Sequence, residues 1–205
     1  MKKQTLWAVI FFSLAFLSLL LTLSLSQRDN LYDSVIRIHV LANSDEKSDQ
    51  EKKLLVRDSI LSYAKENFTE GSDREKAKEV LTKKIPQIKK IAEETLQKEG
   101  CGAKVDVVLK DEYYPTRHYE SFSLPAGNYL SLKVMIGEAQ GQNWWCVLFP
   151  PICIGSATET ESALLDAGMT KENVKTITKK KKGYKIRFKM LEVAEETRKK
   201  LERLF

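Results

Sequence analysis

Residues 141–153 read GQNWWCVLFPPIC, and within them Trp144 to Phe149 is an unbroken apolar run. A strand apolar at every position has no wet face, so the fold must cover it on both sides. Pro150 and Pro151 follow at once; neither continues a ladder or a helix, so the chain must turn there. The run is therefore a core strand with a hard stop.

The other strong constraint lies at the start. Lys2 and Lys3 precede an apolar span from Leu6 to Leu25 broken only by Ser13, Ser18, Thr22 and Ser24. A span of that length crosses a bilayer as a helix, and positive residues before it stay cytoplasmic. The rest of the chain is then expected outside, through either a signal peptide cleaved before Gln27 or an uncleaved anchor. The division predicted is residues 1–26 as signal peptide or membrane anchor, 27–33 as linker and 34–205 as one α+β extracytoplasmic domain with a C-terminal helix. The formal net charge is +6, and Lys2 and Lys3 supply part of it. The remaining charges are well mixed, unlike the one-sided basic face of a nucleic-acid binder. A mildly basic surface fits work near anionic lipid or wall polymer.

Export permits disulfides. With three cysteines one must be left over. Cys146 and Cys153 flank Phe149 and Pro150 symmetrically, so a hairpin turning there brings them within bridging distance, leaving Cys101 free. The alternative is three buried thiols acting as small apolar residues.

Between these landmarks the periodicity predicts a strand from Ser34 to Leu41, with Arg37 and His39 interrupting one face, and then a turn at Ala42 to Asp45. Ser48 with Glu51 and Ser72 with Glu75 form capping-box patterns. They predict one helix with a stripe through Leu54, Leu55, Ile60, Leu61, Ala64 and Phe68, and a second whose apolar positions run from Ala77 to Leu96. Pro86 inside the second predicts a kink or a division. From Lys104 the period turns extended: strands are expected from Val105 and from Tyr129 to Ile136, joining the Trp144 run in an antiparallel meander. A short helix is predicted over Thr158 to Gly168, and a solvated turn over Val174 to Gly183. A basic edge strand through Tyr184, Ile186 and Phe188 and an amphipathic helix from Leu191 close the chain. The fold class expected is α+β: the N-terminal membrane-spanning helix, then an antiparallel sheet packed on two or three helices.

Catalytic signals are thin. His39 and His118 are the only histidines, and no zinc motif, Cys-x-x-Cys pair or phosphate loop is present. No cofactor, metal or small-molecule substrate is indicated. A Cys146–His39 pair is the one arrangement with nucleophilic potential; it underlies an alternative reading as a secreted wall hydrolase, and a basic wall- or membrane-associated module is a blander one. The stronger candidates are recognition residues. Asn43, Ser44 and Asp45 present polar groups at a strand end, while Tyr113, Tyr114 and Arg117 are of the types found at binding centres. Trp144 and Trp145 are adjacent, so as strand residues they point to opposite faces.

Five motifs in order carry a family resemblance: Arg37-x-His39-Val40-x-Ala42-Asn43-Ser44; Val56-Arg57-Asp58; Tyr114-Pro115-Thr116; Leu124-Pro125-Ala126-Gly127-x-Tyr129; and Gly141-x-Asn143-Trp144-Trp145-Cys146-Val147-Leu148-Phe149-Pro150-Pro151-x-Cys153. Together they resemble stage II sporulation protein R of endospore-forming Firmicutes, over roughly Leu31 to Cys153 and the basic strand of residues 185–189. The resemblance implies a signalling protein, not an enzyme. Members are made in the forespore and exported into the space between the forespore and mother-cell membranes. They are required there to activate the membrane-embedded aspartic peptidase that processes pro-sigma-E. On this reading the partner-binding residues are Asn43, Ser44, Asp45, Tyr114, Arg117, Asn143, Trp144 and Trp145, and the N-terminal helix is the membrane contact.

Overall fold

The computed structural model describes residues 4, 7–16, 18–19, 31–67, 73–153, 157–178, 189 and 193. In chain order its elements are β1 (Ile36–Leu41), α1 (Lys47–Asn67), α2 (Arg74–Lys98), β2 (Val105–Tyr114), β3 (Arg117–His118), β4 (Ser123–Leu124), β5 (Gly127–Ile136), β6 (Asn143–Phe149), α3 (Ala157–Asp166) and α4 (Lys171–Thr178). Residues 7–16 are helical as well. Among the described residues no helix is long and apolar enough to cross a membrane. Much of the Leu6–Leu25 span, the Lys179–Lys182 run, the expected strand at 184–188 and most of the C-terminal helix lie outside the described residues.

The architecture is α+β, but the sheet is mixed. Its order is β2-β5-β1-β6; β2 and β5 pair antiparallel as expected, whereas β1 lies between β5 and β6, parallel to the first and antiparallel to the second. The antiparallel meander is thus corrected. Buried along nearly its whole length, β1 gains most from the central position, and residues 42–126 are ample for the crossover that a parallel pair requires. The β5–β6 loop crosses the end of β1, with Gln140 N–H donating to Asn43 O at 3.1 Å and Gly141 N–H to Ala42 O at 3.0 Å. A Cβ on Gly141 would run into the backbone of Ser44, so only glycine lets the two segments cross this closely.

Alternation along β1 divides the sheet into two faces. Ile36, Ile38 and Val40 point toward α1 and α2 and pack with Leu132, Val134 and Leu148. From α1 the buried positions are Lys53, Val56, Ile60, Leu61 and Ala64, while Leu54 and Leu55 are 37% and 40% exposed. The expected stripe holds at Ile60, Leu61 and Ala64, with Phe68 outside the described residues, and differs only in the first turns, where Lys53 and Val56 take the core in place of Leu54 and Leu55. The Lys53 ammonium donates to Gln142 O at 3.0 Å, a snorkelling arrangement. From α2 the buried residues are Ala77, Leu81, Ile88, Ala92 and Leu96, close to the expected stripe. At its start Asp73 caps, accepting from Lys76 N–H at 2.8 Å. The helix runs through Pro86 as one element, so of the expected kink or division the division does not occur.

The opposite face is covered over β6 and the near ends of β1, β2 and β5. Tyr32, Val35, Tyr114, Tyr129 and Val147 pack there against Leu164, Met169, Val174 and Ile177. The last two belong to α4, a helix where a solvated turn was expected; its three-residue apolar spacing was masked by the lysines around it. Cover on both faces is what the Trp144–Phe149 run demanded. Past Phe149 the chain turns, Ile152 N–H bonding to Pro150 O at 2.8 Å, and Cys146 and Cys153 form a disulfide with Cα atoms 6.4 Å apart. Cys101 is free.

Candidate functional site

The two polar interruptions of β1 organise the sheet face away from α1 and α2. His39 stands in register with Lys133 of β5 and Trp145 of β6. Its Nδ1 is 2.9 Å from Glu112 Oε2 and its Nε2 2.7 Å from Asn143 Oδ1, so the buried ring is tied on both sides. Lys133 Nζ donates to the other Glu112 oxygen at 3.2 Å. Burial pushes the Glu112 carboxyl up, but the bonds and charges of His39 and Lys133 more than offset this and hold it below the usual range. Four strands are thereby cross-linked by side chains on one face.

Arg37, two residues earlier, is fully buried. Its guanidinium carbon lies 4.0 Å from the Tyr114 ring centroid, 5.1 Å from that of Tyr129 and 6.0 Å from that of Tyr119. Nη2 donates to the Tyr119 hydroxyl, while Nη1 has no hydrogen-bond partner among the described residues. Ring faces supply the negative potential that a carboxylate would otherwise supply. Burial raises the hydroxyl pKa values of both Tyr114 and Tyr119, so both stay protonated. The Tyr119 hydroxyl reaches Trp145 O at 3.2 Å, and that of Tyr114 lies 2.6 Å from Ser131 Oγ.

Where the face opens, Arg117 of β3 lies over Trp145 at 3.9 Å from the ring centroid. Its Nε is buried without a hydrogen-bond partner among the described residues. His39 packs on the same indole, with ring centroids 5.4 Å apart. The result is a rigid patch that presents Arg117, the Trp145 edge and Asn143 above a locked polar layer.

Of the residues singled out from sequence, Tyr114, Arg117, Asn143 and Trp145 come together here. Tyr114 is buried, however, so its ring is the floor under Arg37 and not a surface anchor. Trp144 points to the opposite face as expected, with Arg57 4.8 Å over its ring. Asn43, Ser44 and Asp45 form a clamp at the end of β1. Asn43 Oδ1 accepts from Glu138 N–H at 3.0 Å and Asp45 Oδ1 from Gln142 N–H at 2.8 Å. Asn43 Nδ2 and Ser44 Oγ donate to Asp49 Oδ2 at 2.8 and 2.7 Å, which lowers the Asp49 pKa. These side chains are committed within the fold. Sequence reasoning missed Glu112, Lys133 and Tyr119, and gave Arg37 no role beyond an interruption of β1 and a place in the first motif. The available signal was the two-residue spacing of Arg37 and His39 inside a β-branched run. The Cys146–His39 pair does not form: Cys146 is on the α1–α2 face and its sulfur is in the disulfide.

The family model described as Stage II sporulation protein R matches residues 32–159, which hold every strand among the described residues and the whole patch. The chain belongs to this family. Its relatives include Stage II sporulation protein R of Bacillus subtilis (strain 168), 39% identical over 121 residues, or 59% of this chain and 54% of that protein. The chain thus aligns with about half the length of that Stage II sporulation protein R. No solved structure matches. Membership of the Stage II sporulation protein R family supports a role in sporulation.

Proposed function

We propose that this chain is an exported signalling protein that activates the membrane-embedded aspartic peptidase processing pro-sigma-E. It acts from the space between forespore and mother-cell membranes and so couples gene expression in the two compartments. Membership of the Stage II sporulation protein R family carries the reading. The Cys146–Cys153 disulfide supports an oxidising compartment outside the cytoplasm, and the apolar N-terminal span supports export or anchoring.

Activation of this kind requires that the ligand bind the active state of the peptidase more tightly than the inactive one. Moving an equilibrium from mostly inactive to mostly active takes a preference of about 10⁴-fold. Preorganised contacts serve this best, since little ordering is left to be done on binding. Arg117, Asn143 and Trp145 are the contact residues on this reading. Tyr114, Asn43, Ser44 and Asp45 hold the shape behind them.

The test uses sporulating cells that make the peptidase and pro-sigma-E but lack a family member of their own. Supplying this chain restores pro-sigma-E cleavage if the reading is right. Folded, exported chain with no cleavage overturns it.

A further inference from the structure

The outer margin of the sheet is β2, whose inner side pairs with β5 along all ten residues. Among the described residues no strand pairs with its outer side. A mean strand has about five or six residues, and a long open edge is a ready template for another chain. Val108 and Tyr113 of this strand are 38% and 53% exposed.

The order of charges along the edge says what fits it. Residues 104–112 read KVDVVLKDE. Laid antiparallel against itself about Val108, this stretch sets Asp106 opposite Lys110, Lys104 opposite Glu112, Val107 opposite Leu109 and Val108 opposite its own copy. Each unlike pair occurs twice by symmetry; both Glu112 oxygens are already held by His39 and Lys133, so the two Asp106–Lys110 pairs carry the match. Sliding two residues one way sets Asp106 against Glu112, and the other way Lys104 against Lys110, both like-charged. A one-residue slip turns the second copy's helical layer to the wrong face. The register about Val108 also sets Val105 opposite Asp111, and of the three it alone places no like charges opposite each other. Among the described residues Asp106 is held by an exposed pair with Lys89 at 3.4 Å, a kind of contact worth little and easily exchanged for Lys110 of a second copy.

We propose that two copies of this chain pair through the β2 edges about a two-fold axis at Val108, joining their four-stranded sheets into one continuous sheet. The inference is independent of the peptidase reading. It places the two Arg117–Trp145 patches on the same face of the joined sheet.

The full-length chain with Cys101→Ser and Val108→Cys is oxidised in detergent and run on a non-reducing gel, and its self-association without Val108→Cys is followed by sedimentation. A cross-linked dimer is expected. Asp106→Lys or Lys110→Asp alone replaces two unlike pairs by two like ones and raises the dimer dissociation constant about tenfold or more. Asp106→Lys with Lys110→Asp restores it to within about twofold, because the pairs reform with signs exchanged. Monomer at all concentrations overturns the proposal, with the edge charges then acting as guards against pairing. Single reversals that leave the dimer unchanged, or a double exchange that fails to restore it, overturn it too.

Discussion

Arg117 and Trp145, from different strands and 28 positions apart, are stacked with the guanidinium carbon 3.9 Å from the indole centroid. The contact holds a half-buried cation in place with no carboxylate paired to it among the described residues. A double-mutant cycle over Arg117→Ala and Trp145→Ala, followed by urea unfolding, is expected to give a coupling of about 0.5–1 kcal/mol. Arg117→Lys retains the charge but loses most of the coupling, since an ammonium lacks the flat face.

Arg37 is buried among tyrosine rings, so removing its volume and removing its charge have different effects. Arg37→Ala leaves a cavity and removes one of the two partners of the Tyr119 hydroxyl, which keeps Trp145 O, and is expected to destabilise by about 3–5 kcal/mol. Arg37→Met fills much of the same space without a desolvated charge and is expected to cost about 1 kcal/mol or less. Chemical denaturation of the two variants separates the cases.

Glu112 gives the fold a pH dependence of definite sign. Its pKa is lower folded than unfolded, because bonds and charges from His39 and Lys133 outweigh its burial. A depressed carboxyl contributes stability that is present above its unfolded value, near about pH 4.3, and is lost as pH falls through the folded value. Glu112→Gln is therefore expected to be less stable than the parent at pH 7, with the difference shrinking below about pH 4. Urea midpoints across that range measure it.

The Cys146–Cys153 bridge closes a short loop. Cys153→Ser is expected to destabilise by about 2.5 kcal/mol on the loop-entropy estimate. Val147 N–H, 3.0 Å from Cys153 Sγ, keeps a hydroxyl acceptor in that variant, so the loss is mainly that of the cross-link. Cys101→Ser is expected to be near neutral, as Cys101 is free and half-buried. Thermal melts with and without reductant distinguish the two sites.

Much of this was legible in advance because it was local. Alternation in β1 separated Ile36, Ile38 and Val40 from Arg37 and His39. The adjacency of Trp144 and Trp145 fixed their opposite directions, and the gapless apolar run required cover on both faces. The insertion of β1 between β5 and β6 was not legible, because hairpin proximity favours the meander and only burial of the whole sheet decides against it. Nor was the patch: Tyr114, Tyr119 and Tyr129 surround Arg37, and Glu112 reaches His39 from 73 residues away. No period or spacing encodes such convergence. Lys53 shows the limit from the other side, since a lysine in the core is invisible to any reading that sorts residues by polarity.

On the proposed function, signalling runs through the sheet face bearing Arg117, Asn143 and Trp145. Pro-sigma-E cleavage in sporulating cells compares Trp145→Ala with Trp144→Ala, the same truncation on opposite faces of one strand, each at matched export and level. Cleavage is expected to fall at least about tenfold for Trp145→Ala, as for loss of a binding hot spot, and to stay near the parent's for Trp144→Ala. Full cleavage with Trp145→Ala, or a selective loss with Trp144→Ala, would contradict it.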